Sequence, residues 1–271
     1  MKWVYTSQRK EYANALTELG KTRTDVVVLD ADLSSSTRTV EFAKKFPERF
    51  FNCGIAEQNM MGTAAGLAAS GKVVFASTFA VFATGRCWDQ IRQSIAYPNL
   101  DVKIVATHAG ITVGGDGASH PALEDIGLMR SLPNMTVIVP ADGIEAYKAV
   151  KAAADLCGPC YVRLGRADVP MLTSMESDFI IGKATVLREG SDVTLVGCGQ
   201  MVAACMDAAE ELQKRGIEAE VVNMSTIKPL DEEALLRSAE KTGAVVTAEE
   251  HSITTGLGSA VASVLGENLP T

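Results

Sequence analysis

Short β-branched runs alternate with segments of helical period along almost the whole chain, and this alternation leaves few architectures open. DVVVLD (25–30), KVVFAS (72–77), DVKIVAT (101–107), MTVIVP (135–140) and CYVRLG (160–165) are apolar runs of strand length. Helical segments separate them, among them AEQNMMGTAAGLAAS (56–70), FAVFATGRCWDQIRQSIA (79–96) and DGIEAYKAVKAAADL (142–156). That order predicts an α/β fold with a mostly parallel sheet flanked by helices. The first helix is expected from an N-cap at Ser7 to a stop at Gly20.

ADVPMLTSMESD (167–178) has the polar, proline-containing look of a linker, which sets a domain boundary near residue 180. Residues 1–180 then form one domain. Residues 181–271 form a smaller one that repeats the alternation through VTLVGC, EAEVVNM, DEEALLRSAEK, AVVTAEE and a last helix from Gly256. A length of 271 residues suits two such units. From His108 to about Pro121 the chain carries Gly110, Gly114, Gly115 and Gly117 with no apolar period. A loop this long inside a domain is usually functional.

Composition narrows the function classes. The net charge of −8 disfavours nucleic acid, although a few local arginines still suffice for an anionic sugar. No run approaches the roughly 18 apolar residues of a membrane span, and no secretory signal opens the chain, so a cytoplasmic protein is expected. The six cysteines lie within apolar segments, as reduced thiols do.

Three short motifs are weaker than they look. Cys157-Gly158-Pro159-Cys160 follows a helix and precedes a strand, the reverse of the polarity that activates a redox thiol, so a turn is expected. Gly197-Cys198-Gly199 follows a strand, but the next strand ends in Asn223-Met224 with no acid for a ribose. Gly115-Asp116-Gly117 could open a metal and diphosphate motif, yet no Asn pair follows at the needed spacing.

Asn52-Cys53-Gly54-Ile55-Ala56-Glu57-Gln58 carries more. By itself, a Glu in the first turn of a helix is most simply explained by the helix dipole. The stretch resembles the GIAEQ motif of the transketolase family, in which this Glu contacts N1′ of the aminopyrimidine of thiamine diphosphate and so activates the cofactor. The resemblance continues. Phe79 and Phe82 in STFAVF match aromatics that wall the pyrimidine, where the plain alternative is core packing at i and i+3. Gly85 stands where many transketolases carry a tyrosine. Asp32, in Asp30-Ala31-Asp32-Leu33-Ser34-Ser35-Ser36, matches an Asp near the cofactor, and Ser36 a residue that reaches substrate phosphate. His108 and His120 match histidines that bind sugar oxygens and move protons, and Asp116 a group that bonds a donor hydroxyl. Arg9 and Arg166 match the family's phosphate-binding arginines, which suits a planar guanidinium.

The resemblance spans nearly the whole chain: a pyrimidine-binding domain followed by a transketolase C-terminal domain. It implies a subunit of a split transketolase, transferring a two-carbon ketol unit from a ketose phosphate to an aldose phosphate. Thiamine diphosphate is the implied cofactor. Mg²⁺ and the diphosphate would be held by a separate N-terminal subunit, with self-association into a dimer of heterodimers. The chain itself is expected to supply no metal ligand, and its C-terminal domain is expected to be short by a few tens of residues. The alternatives are a deoxyxylulose-phosphate synthase-like enzyme, suggested by Ala109-Gly110, a beta subunit of a 2-oxo-acid dehydrogenase, and a non-catalytic assembly subunit.

Overall fold

The apolar runs assemble into one seven-stranded sheet. Its spatial order is Thr226–Lys228, Thr136–Ile138, Cys160–Arg163, Val102–Thr107, Val73–Phe79, Val26–Asp30, Phe50–Asn52. All neighbours are parallel except the first pair. The computed structural model describes residues 3–270. Met1, Lys2 and Thr271, which bound the expected domains, lie outside the described residues.

Each central strand is buried on both faces, which explains why these runs are continuously apolar. In Val73–Phe79 the pleat sends Val74 and Ala76 into a core with Met60, Met61 and Ile91. Val73 and Phe75 enter the opposite core, with Tyr12, Leu16 and Phe42. Burying each such large side chain stabilises the fold by about 1.5–3 kcal/mol.

A second, four-stranded sheet has the order Val245–Ala248, Val193–Gly197, Ala219–Asn223, Thr185–Arg188, parallel except at the last pair. Helices Met201–Gln213, Glu232–Thr242 and Leu257–Asn268 accompany it. Asp231 caps the second of these by accepting from Ala234 N at 3.2 Å. One core cluster runs through both units, joining Val196, Val222 and Leu257 to Ile104 and Met129.

Several details depart from the sequence-based expectations. The first helix spans Gln8–Thr22 and passes Gly20. A Cβ on Gly20 would lie 2.4 Å from Phe46 Cε2, so this glycine admits a ring rather than ending the helix. The helix expected over 79–96 is broken into a π turn at Phe82–Arg86, a short α segment at Trp88–Gln90 and a second π turn at Ile91–Ala96. Strand Thr226–Lys228, from the chain's last third, returns to the edge of the first sheet. The Cys157–Cys160 turn is tied down by buried Lys103, whose Nζ donates to Leu156 O and Gly158 O at 2.5 and 2.7 Å. Burial pushes the Cys160 thiol up to about 12, which suits a structural turn.

Candidate active site

The site lies beyond the C-terminal ends of parallel strands Val26–Asp30, Val73–Phe79, Val102–Thr107 and Cys160–Arg163, where open α/β sheets present their loops. Arg9, Ser36, Phe79, His108, Asp116 and Arg166 line one open cleft of about 420 Å³ together with Ala167 and Asp168. Six of the residues singled out in the sequence therefore converge on one space.

Two helices and a loop contribute its basic side. Arg9 donates from Nη1 to Ser36 O at 3.0 Å and from Nη2 to Arg166 O at 2.9 Å. It thus staples the two other anion-facing segments while keeping N–H donors to spare. Burial lowers its pKa, with Arg38 and Arg166 adding like-charge repulsion, and the group remains a cation. Asp116 approaches Arg166 Nε at 3.4 Å and so lies within this cleft.

His108 is nearly buried and has φ +60°, a backbone strain often stored at functional sites. Its ring stacks on Phe79 with centroids 3.7 Å apart, and its Nδ1 lies 2.9 Å from Thr107 Oγ1. Burial pulls its pKa down to about 4, helped by Arg9 and Arg166 and opposed by Asp116. The imidazole is therefore neutral at pH 7.

Phe79 joins this cleft to a second group of residues. It lies nearly parallel to Phe82 at 5.8 Å, and His120 meets Phe82 edge-on at 5.5 Å. Glu57 opens helix Glu57–Ala69 with its side chain buried, and Arg86 Nη1 donates to its Oε1 at 3.1 Å. Asp32 stands apart from the cleft and beside the GIAEQ segment. Asn52 links them, accepting from Asp32 N at 3.1 Å and from Gly54 N at 3.0 Å while donating to Asp32 Oδ1 at 3.2 Å.

Sequence reasoning missed the residues that hold these loops. Buried Asp30 accepts from Leu33 N, Thr37 Oγ1 and Thr39 Oγ1 at 2.6–2.9 Å and anchors the short helix Ser34–Thr37 that carries Ser36. Gln8 bridges Pro140 O and Gly165 N, each at 2.7 Å. Glu250, from the second sheet's domain, grips the glycine-rich loop by accepting from Thr112 N and Oγ1 at 3.0 and 3.1 Å. Gly110 has φ +82°, and a Cβ there would sit 2.5 Å from Glu250 Oε2, so the glycine is needed for this grip. The only sequence signal for Glu250 was its place just past a strand end.

Arg86 links the buried Glu57 carboxylate to the parallel rings of Phe79 and Phe82, a set of groups that fits the pyrimidine half of a thiamine diphosphate site. Among the described residues no group of three or more His, Cys, Asp or Glu is placed to hold a metal ion.

Comparison with known proteins shows the family. Residues 5–171 match the model of the transketolase pyrimidine binding domain and residues 182–271 that of the transketolase C-terminal domain. The chain belongs to the transketolase family. It is 53% identical to a putative transketolase C-terminal section of Methanocaldococcus jannaschii, over 98% of this chain and 84% of the relative. It is 47% identical to a 6-deoxy-6-sulfo-D-fructose transketolase subunit of a Clostridium species, over 97% of this chain and 81% of that one. A solved structure described as a split gene transketolase, inactive β4 tetramer, superposes with a TM-score of 0.91 at 58% identity, covering 98% of this chain and 87% of that chain. No helix among the described residues of this transketolase-family chain is long and apolar enough to cross a membrane.

Proposed function

We propose that this chain is the C-terminal subunit of a thiamine diphosphate-dependent transketolase, moving a two-carbon ketol unit from a ketose phosphate to an aldose phosphate. Its two units are taken as residues 1–180 and 181–271. A separate N-terminal subunit supplies the diphosphate and Mg²⁺ ligands, and pairs of the two chains associate further. The split gene transketolase and the M. jannaschii C-terminal section support this division. The observation that carries the reading is Phe79, whose ring stacks on both His108 in the basic cleft and Phe82, which Arg86 in turn links to Glu57. A phosphosugar head and a reacting carbonyl would thereby meet the cofactor across one aromatic ring.

When bound, the cofactor stabilises the carbanion character that cleaving a bond next to a carbonyl demands. The chain's own residues do the rest. Glu57 would hold the aminopyrimidine ring, and Phe79 and Phe82 would wall it. Arg9, Arg166 and Ser36 take the phosphate, which sets the distance from the sugar's far end to its carbonyl. Asp116 orients a hydroxyl. Neutral His108 bonds the sugar oxygens, and His120 exchanges a proton with the hydroxyl formed or lost at the cleaved bond.

Calorimetry of thiamine diphosphate with Mg²⁺, first on the chain alone and then with an N-terminal transketolase subunit, tests the reading when followed by a ketol-transfer assay. Binding and transfer that need both chains support it. Tight Mg²⁺-dependent binding to the isolated chain contradicts the division of ligands. A sulfonated or other anionic ketose as preferred donor, as the name of the Clostridium relative suggests, would keep the site and change the sugar.

A further inference from the structure

Arg86 occupies both contacts that the proposed pyrimidine site depends on. Its Nη1 lies 3.1 Å from Glu57 Oε1, and its guanidinium carbon sits 4.3 Å from the centroid of the Phe82 ring. Glu57 is 5% exposed and Arg86 50% exposed at the side chain, so the acid is fixed and the arginine reaches it from the solvent edge. Gly85, the position that many transketolases fill with a tyrosine, has open space around a would-be Cβ. The flat group against Phe82 comes from the next residue instead, and it carries a charge.

From this geometry we infer that Arg86 is a gatekeeper of the pyrimidine pocket, competing with the aminopyrimidine for Glu57 and the face of Phe82 and so setting cofactor affinity. The inference rests on the reading of Glu57 and Phe82 as pyrimidine contacts. A nearly buried carboxylate without a partner is costly, so the ion pair gives Glu57 a counter-charge within the chain itself. A flat aromatic ring that bonds Glu57 at Oε1 and stacks on Phe82 takes the positions that the guanidinium holds. The displacement is cheap in backbone terms, because Gln58 Nε2 holds Arg86 O at 2.9 Å and the side chain alone turns toward solvent. The arginine thereby keeps the acid soluble and ordered before assembly and yields it to a ligand that brings further contacts of its own.

The test measures thiamine diphosphate affinity, with Mg²⁺, in the complex reconstituted with an N-terminal subunit. Five chains are compared: unaltered, Arg86→Ala, Arg86→Gln, Glu57→Gln and the double variant Glu57→Gln with Arg86→Ala. Removing the competing charge should tighten binding about fivefold, the scale of a half-exposed ion pair. Arg86→Gln, which keeps part of the stem and a neutral donor, guards against a packing artefact and should shift affinity the same way. In the Glu57→Gln background, Arg86→Ala should then have a smaller effect, since only the face of Phe82 remains to compete for. Unchanged or weaker binding in both arginine variants, with Glu57→Gln still weakening it, overturns the gatekeeper while leaving the site intact. If Glu57→Gln leaves affinity unchanged, the pyrimidine reading itself fails and the inference with it.

Discussion

Arg163 and Asp125 form a two-bond ion pair in the interior, Nε to Oδ2 at 2.6 Å and Nη2 to Oδ1 at 3.1 Å. Tyr161 adds its hydroxyl to Asp125 Oδ2 at 2.7 Å, and Arg163 Nη2 also donates to Ala122 O and Glu250 O. The pair thus fastens the end of the glycine-rich loop to a sheet strand and to the second domain at once. Asp125→Ala should destabilise the chain by about 3–5 kcal/mol, because it strands a buried guanidinium. Urea unfolding measures it, and a loss under about 1 kcal/mol would show that water or a neighbour replaces the carboxylate.

Two buried groups should give the chain opposing pH dependences. The unfolded His108 imidazole titrates near 6.5 and the folded one at about 4, so its contribution is present above pH 6.5 and is lost as pH falls through 4. Glu145 behaves oppositely. Burial, aided by Asp142 and opposed by the Ala141 N–H, raises its carboxyl from 4.5 to about 7, so its contribution is present below pH 4.5 and is lost as pH rises through 7. Glu145→Gln should therefore unmask a rise in stability from pH 5 to 6.5, and His108→Asn a fall. Denaturant midpoints across that range decide it, and two flat profiles would refute both assignments.

Gly110→Ala places a methyl group against Glu250 and demands φ +82° of an L-residue. It should disturb the glycine-rich loop more than the global fold. Ketol transfer should fall at least tenfold with a raised KM, while the thermal midpoint moves by only a few degrees. Equal losses of activity and stability would instead make the position structural.

Glu57→Gln keeps the size of the side chain and removes the ionisable carboxyl. In the reconstituted complex, kcat should drop by roughly 10²–10⁴-fold, the range of a positioned proton-handling group. Circular dichroism should be unchanged. Activity within threefold of the unaltered enzyme would move the activating role elsewhere.

Arg9→Lys retains charge but cannot span Ser36 O and Arg166 O with one planar fork. It should raise KM for a sugar phosphate about tenfold while leaving KM for an unphosphorylated sugar nearly unchanged. A parallel rise for both substrates would mean that Arg9 only braces the loops.

The sequence by itself determined the architecture and most of the chemical groups. Continuous apolar runs such as Val26–Asp30 can be buried only on two faces, so the parallel sheet and its covering helices followed from local pattern. Arg9, Ser36, Phe79, His108, Asp116 and Arg166 were singled out through the resemblance to a family's motifs, and the fold brings them to one cleft. Tertiary structure alone decided how these groups behave. His108 is held neutral by burial and by arginines about 58 and 99 residues away in the chain, a distance no local pattern spans. Glu250, Asp125 and Gln8 carry no motif, since their roles come from partners brought close only when the sheet closes. The π turns of 82–96 and the return of Thr226–Lys228 to the first sheet were invisible for the same reason. Packing between elements, and not the preference of the residues within them, sets those choices.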